Sequence, residues 1–293
     1  MCGIVGLHLR DPALHRHLGV LLTTMLAGVA ERGPDSAGVA VYGDARRCPP
    51  GFASVSVLGA PAGLVDTVTQ RLGTEPLVTT AADTTLIAAP CAPAELAAIA
   101  RAAGGLVVGT GRELTVYKGT GAPADLAAAY DLPGARGWQA LAHTRMATES
   151  AVNAEGCHPF SVGEDQCLVH NGSFANHATI RRELERDGVV FDSENDSEVG
   201  ARFVASRLAA GEDLDKALRL LCERFDGFYT LLVTSADGFA VVRDAIACKP
   251  AVIAETPAWV AMASEFRALA ELPGIDGARI WEPEPERVYA WRR

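Results

Sequence analysis

Neither a C-x-x-C pair nor an H-E-x-x-H run occurs in the 293 residues, and no Gly-Lys-Ser/Thr follows the glycines of Gly104-Gly105 or Gly109-Thr110-Gly111. The first two absences exclude the usual thiolate and zinc-hydrolase metal sites, and the third excludes a phosphate loop in favour of a hairpin turn. His8, His15, His17, His143, His158, His170 and His177 fall into no ligand pattern, so no metal site is expected. A Rossmann fingerprint and a cysteine cluster for an iron-sulfur centre are also missing, so no cofactor is expected on this chain. Basic charge is scarce. With 26 Lys and Arg against 36 Asp and Glu, the net charge is -10. Nucleic acid and anionic membrane surfaces need a basic face, so neither is expected as a partner. The seven cysteines (Cys2, Cys48, Cys91, Cys157, Cys167, Cys222, Cys248) are odd in number and scattered, which argues against a disulfide framework and for a reducing cytoplasm. No uncharged run is long enough to span a bilayer, and His8, Arg10 and Asp11 break up any signal peptide.

A hydrophobic content of 49% supports a substantial core. Ile4 to Leu9 reads as a strand. Asp11-Pro12 supplies an N-cap and a first-turn proline for a helix whose stripe is Leu14, Leu18, Leu21, Leu22, Met25, Leu26 and Val29, and Arg32-Gly33-Pro34 ends it. Gly38 to Tyr42 reads as a second strand. From about 44 to 137 the sequence carries no sharp motif, only a helix at Pro93 to Ala103 and a strand at Leu114 to Tyr117. Whether this region is an inserted subdomain or an extension of one sheet stays open. Further on, Cys167 to His170 reads as a strand running into an Asn171-Gly172 turn. Helices are expected after Ser193-Glu194-Asn195 and from Asp213 to Arg224. Phe228 to Val233 and Phe239 to Val242 form a hairpin about Ala236-Asp237-Gly238, and strands follow at Ala251 to Ala254 and Trp259 to Met262. Strands and helices in blocks, rather than strict alternation, favour helices layered on antiparallel sheets.

Chemistry concentrates at the start. Removal of Met1, usual before a small second residue, would leave Cys2 with a thiol and a free α-amine on one carbon. That amine has an unperturbed pKa of about 7.7 to 8 and could serve as the thiol's own base. A buried cysteine heading a strand is the plainer alternative. If Cys2 attacks a carboxamide, the Asn171 side chain and the Gly172 N–H could donate to the developing oxyanion. Arg145 has the fork to grip a carboxylate, although a lone arginine is more often a surface charge. Asp196 could pair with an ammonium or simply serve the start of a helix.

Six elements in order carry a resemblance. Cys2-Gly3-Ile4-Val5-Gly6, Arg32-Gly33-Pro34-Asp35-Ser36-Ala37-Gly38, His143-Thr144-Arg145-Met146-Ala147-Thr148, His158-Pro159, His170-Asn171-Gly172-Ser173 and Asn195-Asp196-Ser197-Glu198 together resemble the class II glutamine amidotransferases. The resemblance implies an α+β fold, the four-layer αββα sandwich of N-terminal-nucleophile hydrolases, as a single domain over 1–293 with a family-atypical insertion at about 44–137. It implies that Cys2 hydrolyses the side-chain amide of L-glutamine. Arg145 and Thr148 would hold the α-carboxylate, Asp196 the α-ammonium, and Asn171 with Gly172 the oxyanion. Arg32 would support the Cys2 pocket and His158 would shape it. Met146 and Glu149 depart from the sugar-amidating members. Thr144 to Ser150 and Ala245 to Pro250 look most like the separate amidotransferase subunit of glutamate-synthase-like systems, including N-methylglutamate synthase. Such a subunit would pass ammonia to partners carrying FMN and iron-sulfur chemistry. The end of the chain soon after Glu282-Pro283-Glu284-Pro285-Glu286 is read as leaving no room for a second catalytic domain. Two other readings are a stand-alone γ-glutamyl amidohydrolase and a non-catalytic regulatory subunit.

Overall fold

The structure is a computed structural model that describes residues 2–146 and 153–293. In chain order the elements are β1 (Gly3–Leu9), α1 (Leu18–Val29), β2 (Ser36–Tyr42), β3 (Ala53–Leu58), α2 (Leu64–Leu72), β4 (Leu77–Ala81), β5 (Thr84–Ala89), α3 (Pro93–Ala102), β6 (Leu106–Gly111), β7 (Leu114–Thr120) and α4 (Pro123–Ala129). They continue with β8 (Gln139–Arg145), β9 (Cys167–Phe174), α5 (His177–Arg186), α6 (Asp196–Ala209), α7 (Leu214–Arg224), β10 (Gly227–Thr234), β11 (Gly238–Arg243), β12 (Val252–Glu255), β13 (Trp259–Ala263), β14 (Arg279–Trp281) and β15 (Tyr289–Arg292). Seven strands form one sheet in the order β14-β12-β13-β1-β8-β2-β7, and four form a second in the order β15-β11-β10-β9.

Alternation along each strand builds the layers. Ile4 faces a core shared with Val169, Leu232 and Phe239 of the second sheet, while its neighbours Val5 and Leu7 face a different core with α1. On β10, Leu232 points inward between the sheets, whereas Leu231 and Val233 point outward against α5, α6 and α7. Period-two side chains thus give one dry layer between the sheets and one under each set of helices. The result is the expected four-layer αββα sandwich. The segment Pro12–Arg32 is by length and hydropathy apolar enough to cross a membrane. Its stripe of Leu18, Leu22, Met25, Leu26 and Val29 is nevertheless packed on the seven-stranded sheet.

The region left open by the sequence folds mostly as a third sheet, β4-β5-β3-β6, with α2 and α3 on one face and its own core of Val55, Val57, Leu64, Val68, Ile87, Leu96 and Val107. Its other face meets β7, the edge strand of the large sheet. Ser56 Oγ accepts from Val116 N, Ser54 Oγ donates to Leu114 O, and Thr84 Oγ1 donates to Lys118 O. Hydroxyls thereby satisfy an edge that would otherwise present unpaired backbone. Gly109-Thr110-Gly111, expected as a turn, is the end of β6; the turn itself is Arg112-Glu113, whose N–H groups are gathered by the Asp165 carboxylate.

Candidate active site

Strand β1 delivers Cys2 to the end of the sandwich. β1 and β8 are antiparallel with Gly3 opposite Thr144, so the same register carried one residue further sets Cys2 against Arg145. Arg32 Nε donates to the Cys2 carbonyl at 3.0 Å and Arg32 Nη1 to Glu265 Oε1 at 2.7 Å. Asn171 Nδ2 donates to the same Cys2 carbonyl at 3.2 Å. Two side chains from distant parts of the sequence thus fix the backbone of one cysteine. Ser264 Oγ accepts from Ile4 N at 2.9 Å and Ser264 N donates back to Ile4 O, which pins the next turn of strand.

The loop before β2 lies directly on the end of β8. A Cβ on Gly33 would sit 2.5 Å from Arg145 N, so only glycine lets Arg32-Gly33-Pro34 approach this closely. Arg145 itself is buried and bridged to Ser36 and Pro34. Met146 beside it is exposed. Thr148 and Glu149 lie outside the described residues.

Asn171-Gly172 is not the turn its sequence suggests. Both lie inside β9, paired with Thr230 and Tyr229. Tyr229 N donates to Asp244 Oδ1 at 2.7 Å and Tyr229 O accepts from Asp244 N, so both of its backbone groups face away from β9. Gly172 is therefore in a non-hydrogen-bonded pair, with its N–H turned out from the open edge of the sheet. The same parity holds on either side. His170 O accepts from His143 Nε2 at 3.1 Å, and Phe174 N donates to Asp196 Oδ2 at 2.8 Å. Asp196 opens α6, where Asn195 Oδ1 caps Ser197 N. Its side chain keeps 20% exposure, enough to meet a ligand.

Beneath these groups lie three buried imidazoles. His143 stacks on His158 with centroids 4.0 Å apart, and Ser197 Oγ joins His158 Nε2 (3.0 Å) to His170 Nδ1 (2.8 Å). Burial lowers all three, His143 to about 3, His170 to about 4 and His158 well below the usual imidazole value. Unfolded imidazoles take protons near pH 6.5 while the folded ones refuse them, so stability is unaffected above that pH and falls as the pH drops from about 6.5 toward 4. All three pull in the same direction, and a group charged when unfolded and neutral when folded has a limiting slope of about 1.4 kcal/mol per pH unit. Urea midpoints measured from pH 8 to 4 should show a plateau and then this decline, and His158→Gln should make the decline shallower.

Lys118 has no counterpart in the sequence reading. Buried on β7, its Nζ donates to Glu155 O and Cys157 O at 3.1 and 3.0 Å, and burial lowers it to about 8. It ties the segment that carries His158 to the edge of the large sheet. Among the described residues no group of three or more His, Cys, Asp or Glu is placed to hold a metal ion.

Comparison with known proteins gives the chain its family. A glutamine amidotransferase domain matches residues 143–271. The chain is 46% identical to the "Glutamine amidotransferase-like protein GlxB" of Rhizobium meliloti over 99% of its own length and 98% of the relative's. It belongs to the class II glutamine amidotransferases. A "Putative glutamine amidotransferase" of Methanothermobacter thermautotrophicus is 30% identical, with 99% of both chains covered. In fold, this amidotransferase resembles the glutamine phosphoribosylpyrophosphate amidotransferase of B. subtilis, with a TM-score of 0.62 and 18% identity. The match covers 99% of this amidotransferase and 49% of that longer chain.

Proposed function

We propose that this chain is a glutaminase subunit that forms a γ-glutamyl thioester on Cys2 and hands ammonia to a glutamate-synthase-like partner. The observation that carries the reading is the convergence of Arg32 and Asn171 on the Cys2 carbonyl, with Gly172 next to Asn171 on the same edge strand. After Met1 is removed, the α-amine takes the thiol proton directly or through one water, and sulfur attacks the side-chain carbon of glutamine. The second N–H of Asn171 and the Gly172 N–H meet the developing oxyanion. The C–N bond breaks as the ammonium returns its proton to the leaving nitrogen, releasing ammonia. Water, deprotonated by the same amine, then attacks the thioester and frees glutamate and the thiol. Arg145 and Thr148 hold the α-carboxylate, Asp196 the α-ammonium, and His158 supports the floor of the pocket. We further take residues 1–293 as one domain with 44–137 as an insertion, working in the cytoplasm. FMN and iron-sulfur chemistry would reside on the partner subunits.

A diazo-ketone analogue of glutamine tests the nucleophile. All seven cysteines are free, and burial pushes Cys48 up to about 11 and Cys167 to about 12, leaving them poor competitors. Cys248 is exposed and serves as the internal control. Peptide mapping should find the adduct on Cys2 alone, protected by glutamine; equal labelling of Cys248 counts against the assignment.

A further inference from the structure

Ser197 has one proton to give and touches three groups: Asp196 Oδ1 at 3.3 Å, His158 Nε2 at 3.0 Å and His170 Nδ1 at 2.8 Å. Neutral imidazole carries a single N–H. His158 Nδ1 and His170 Nε2 are buried and meet no partner among the described residues. If either ring carried its proton on that outer nitrogen, a buried donor would be stranded without an acceptor, whereas a stranded lone pair costs less. Both rings therefore turn their N–H toward Ser197 Oγ, His158 from Nε2 and His170 from Nδ1. Their strongly lowered proton affinities agree with this neutral pairing. With both lone-pair directions of the hydroxyl engaged by donors, its own proton has one destination, the carboxylate of Asp196. His170 Nδ1 is 3.9 Å from that carboxylate, too far to serve it directly.

We propose that Ser197 is a positioning residue which locks the Asp196 carboxylate to receive the α-ammonium of the substrate, and so sets the preference for an amino acid over a plain amide. The inference rests on the glutaminase reading. Two groups then fix the carboxylate, the Phe174 N–H on Oδ2 and the Ser197 hydroxyl on Oδ1, leaving its exposed side for the ligand. The two imidazoles fix the hydroxyl in turn. His143, which bonds the His170 carbonyl and stacks on His158, extends the chain toward the strand that ends in Arg145.

The test has two arms on the full-length protein. Ring ¹⁵N spectra at pH 7 should show His170 protonated on Nδ1 and His158 on Nε2; protonation of either ring on its other nitrogen, or a charged ring, overturns the proposal. In the second arm, turnover of glutamine is compared with that of its desamino analogue, 4-carbamoylbutanoate. Ser197→Ala should raise KM for glutamine about 10-fold or more, as expected for losing a hydrogen bond to a charged group, while changing that for the analogue little. Ser197→Thr, which keeps the hydroxyl, should restore the preference. Equal losses on both substrates in Ser197→Ala overturn the proposal. If the unmodified protein turns over neither substrate, the glutaminase reading fails, while the ¹⁵N arm still decides the bonding pattern.

Discussion

Cys2→Ala should reduce glutamine hydrolysis to background, a loss on the order of 10⁵ to 10⁶, as when the nucleophile of a serine protease is removed. Stability should change little. The thiol belongs to no core cluster, and the contacts from Arg32 and Asn171 are made to the backbone carbonyl, which alanine retains. Glutamate release measured beside a urea denaturation curve separates the two effects. A variant that folds normally and keeps more than about a hundredth of the activity would move the chemistry to another residue, since nucleophile loss ordinarily costs far more.

Gly172→Ala should also cut activity sharply, though far less than loss of the nucleophile, and by a different route. The residue sits at φ +144°, and an added Cβ would lie 2.0 Å from the Phe228 carbonyl oxygen and 2.7 Å from Tyr229 Cα. Backbone cannot yield as a flexible side chain would, so β9 must shift from β10 and carry both oxyanion donors with it. The expected loss of activity is about 10²- to 10³-fold, with about 1–3 kcal/mol of stability lost to strain. Gly188→Ala is the control. That glycine also has positive φ, at +88°, but nothing lies within 4 Å of its added Cβ, so only the local strain of about 1 kcal/mol is expected and activity should be kept. Equal behaviour of the two variants would mean that the strand geometry at Gly172 is unimportant.

Much of this was readable before the structure, for identifiable reasons. The stripe of α1, the span of α7 and the β10–β11 hairpin are local patterns, in which period and punctuation speak directly. α5 was missed because its sequence is overwhelmingly polar and only Ile180 and Leu184 are buried, too few to mark a helical face. Asn171-Gly172 misled because the dipeptide is the commonest hairpin signal, whereas here positive φ serves a strand that must pass under Phe228. The third sheet was invisible because its strands mix short apolar runs with Ser and Thr, whose hydroxyls spend themselves on the β7 edge. Within the site, Cys2, Arg32, Asn171 and Asp196 stood out as motif residues. The role of Ser197, though it lies within a motif, and Lys118 altogether did not show, since a serine's bond to two distant imidazoles and a lysine's grip on two carbonyls leave no spacing rule in the chain.

The most direct test of the whole account is intact mass of the protein purified from its own host, read beside its glutaminase rate and before and after treatment with the glutamine analogue. The account predicts a mass lower by one methionine, one adduct per chain, and turnover that disappears as the adduct forms. A chain that keeps Met1 and still hydrolyses glutamine at full rate would contradict it, because its Cys2 has no free amine to act as the base.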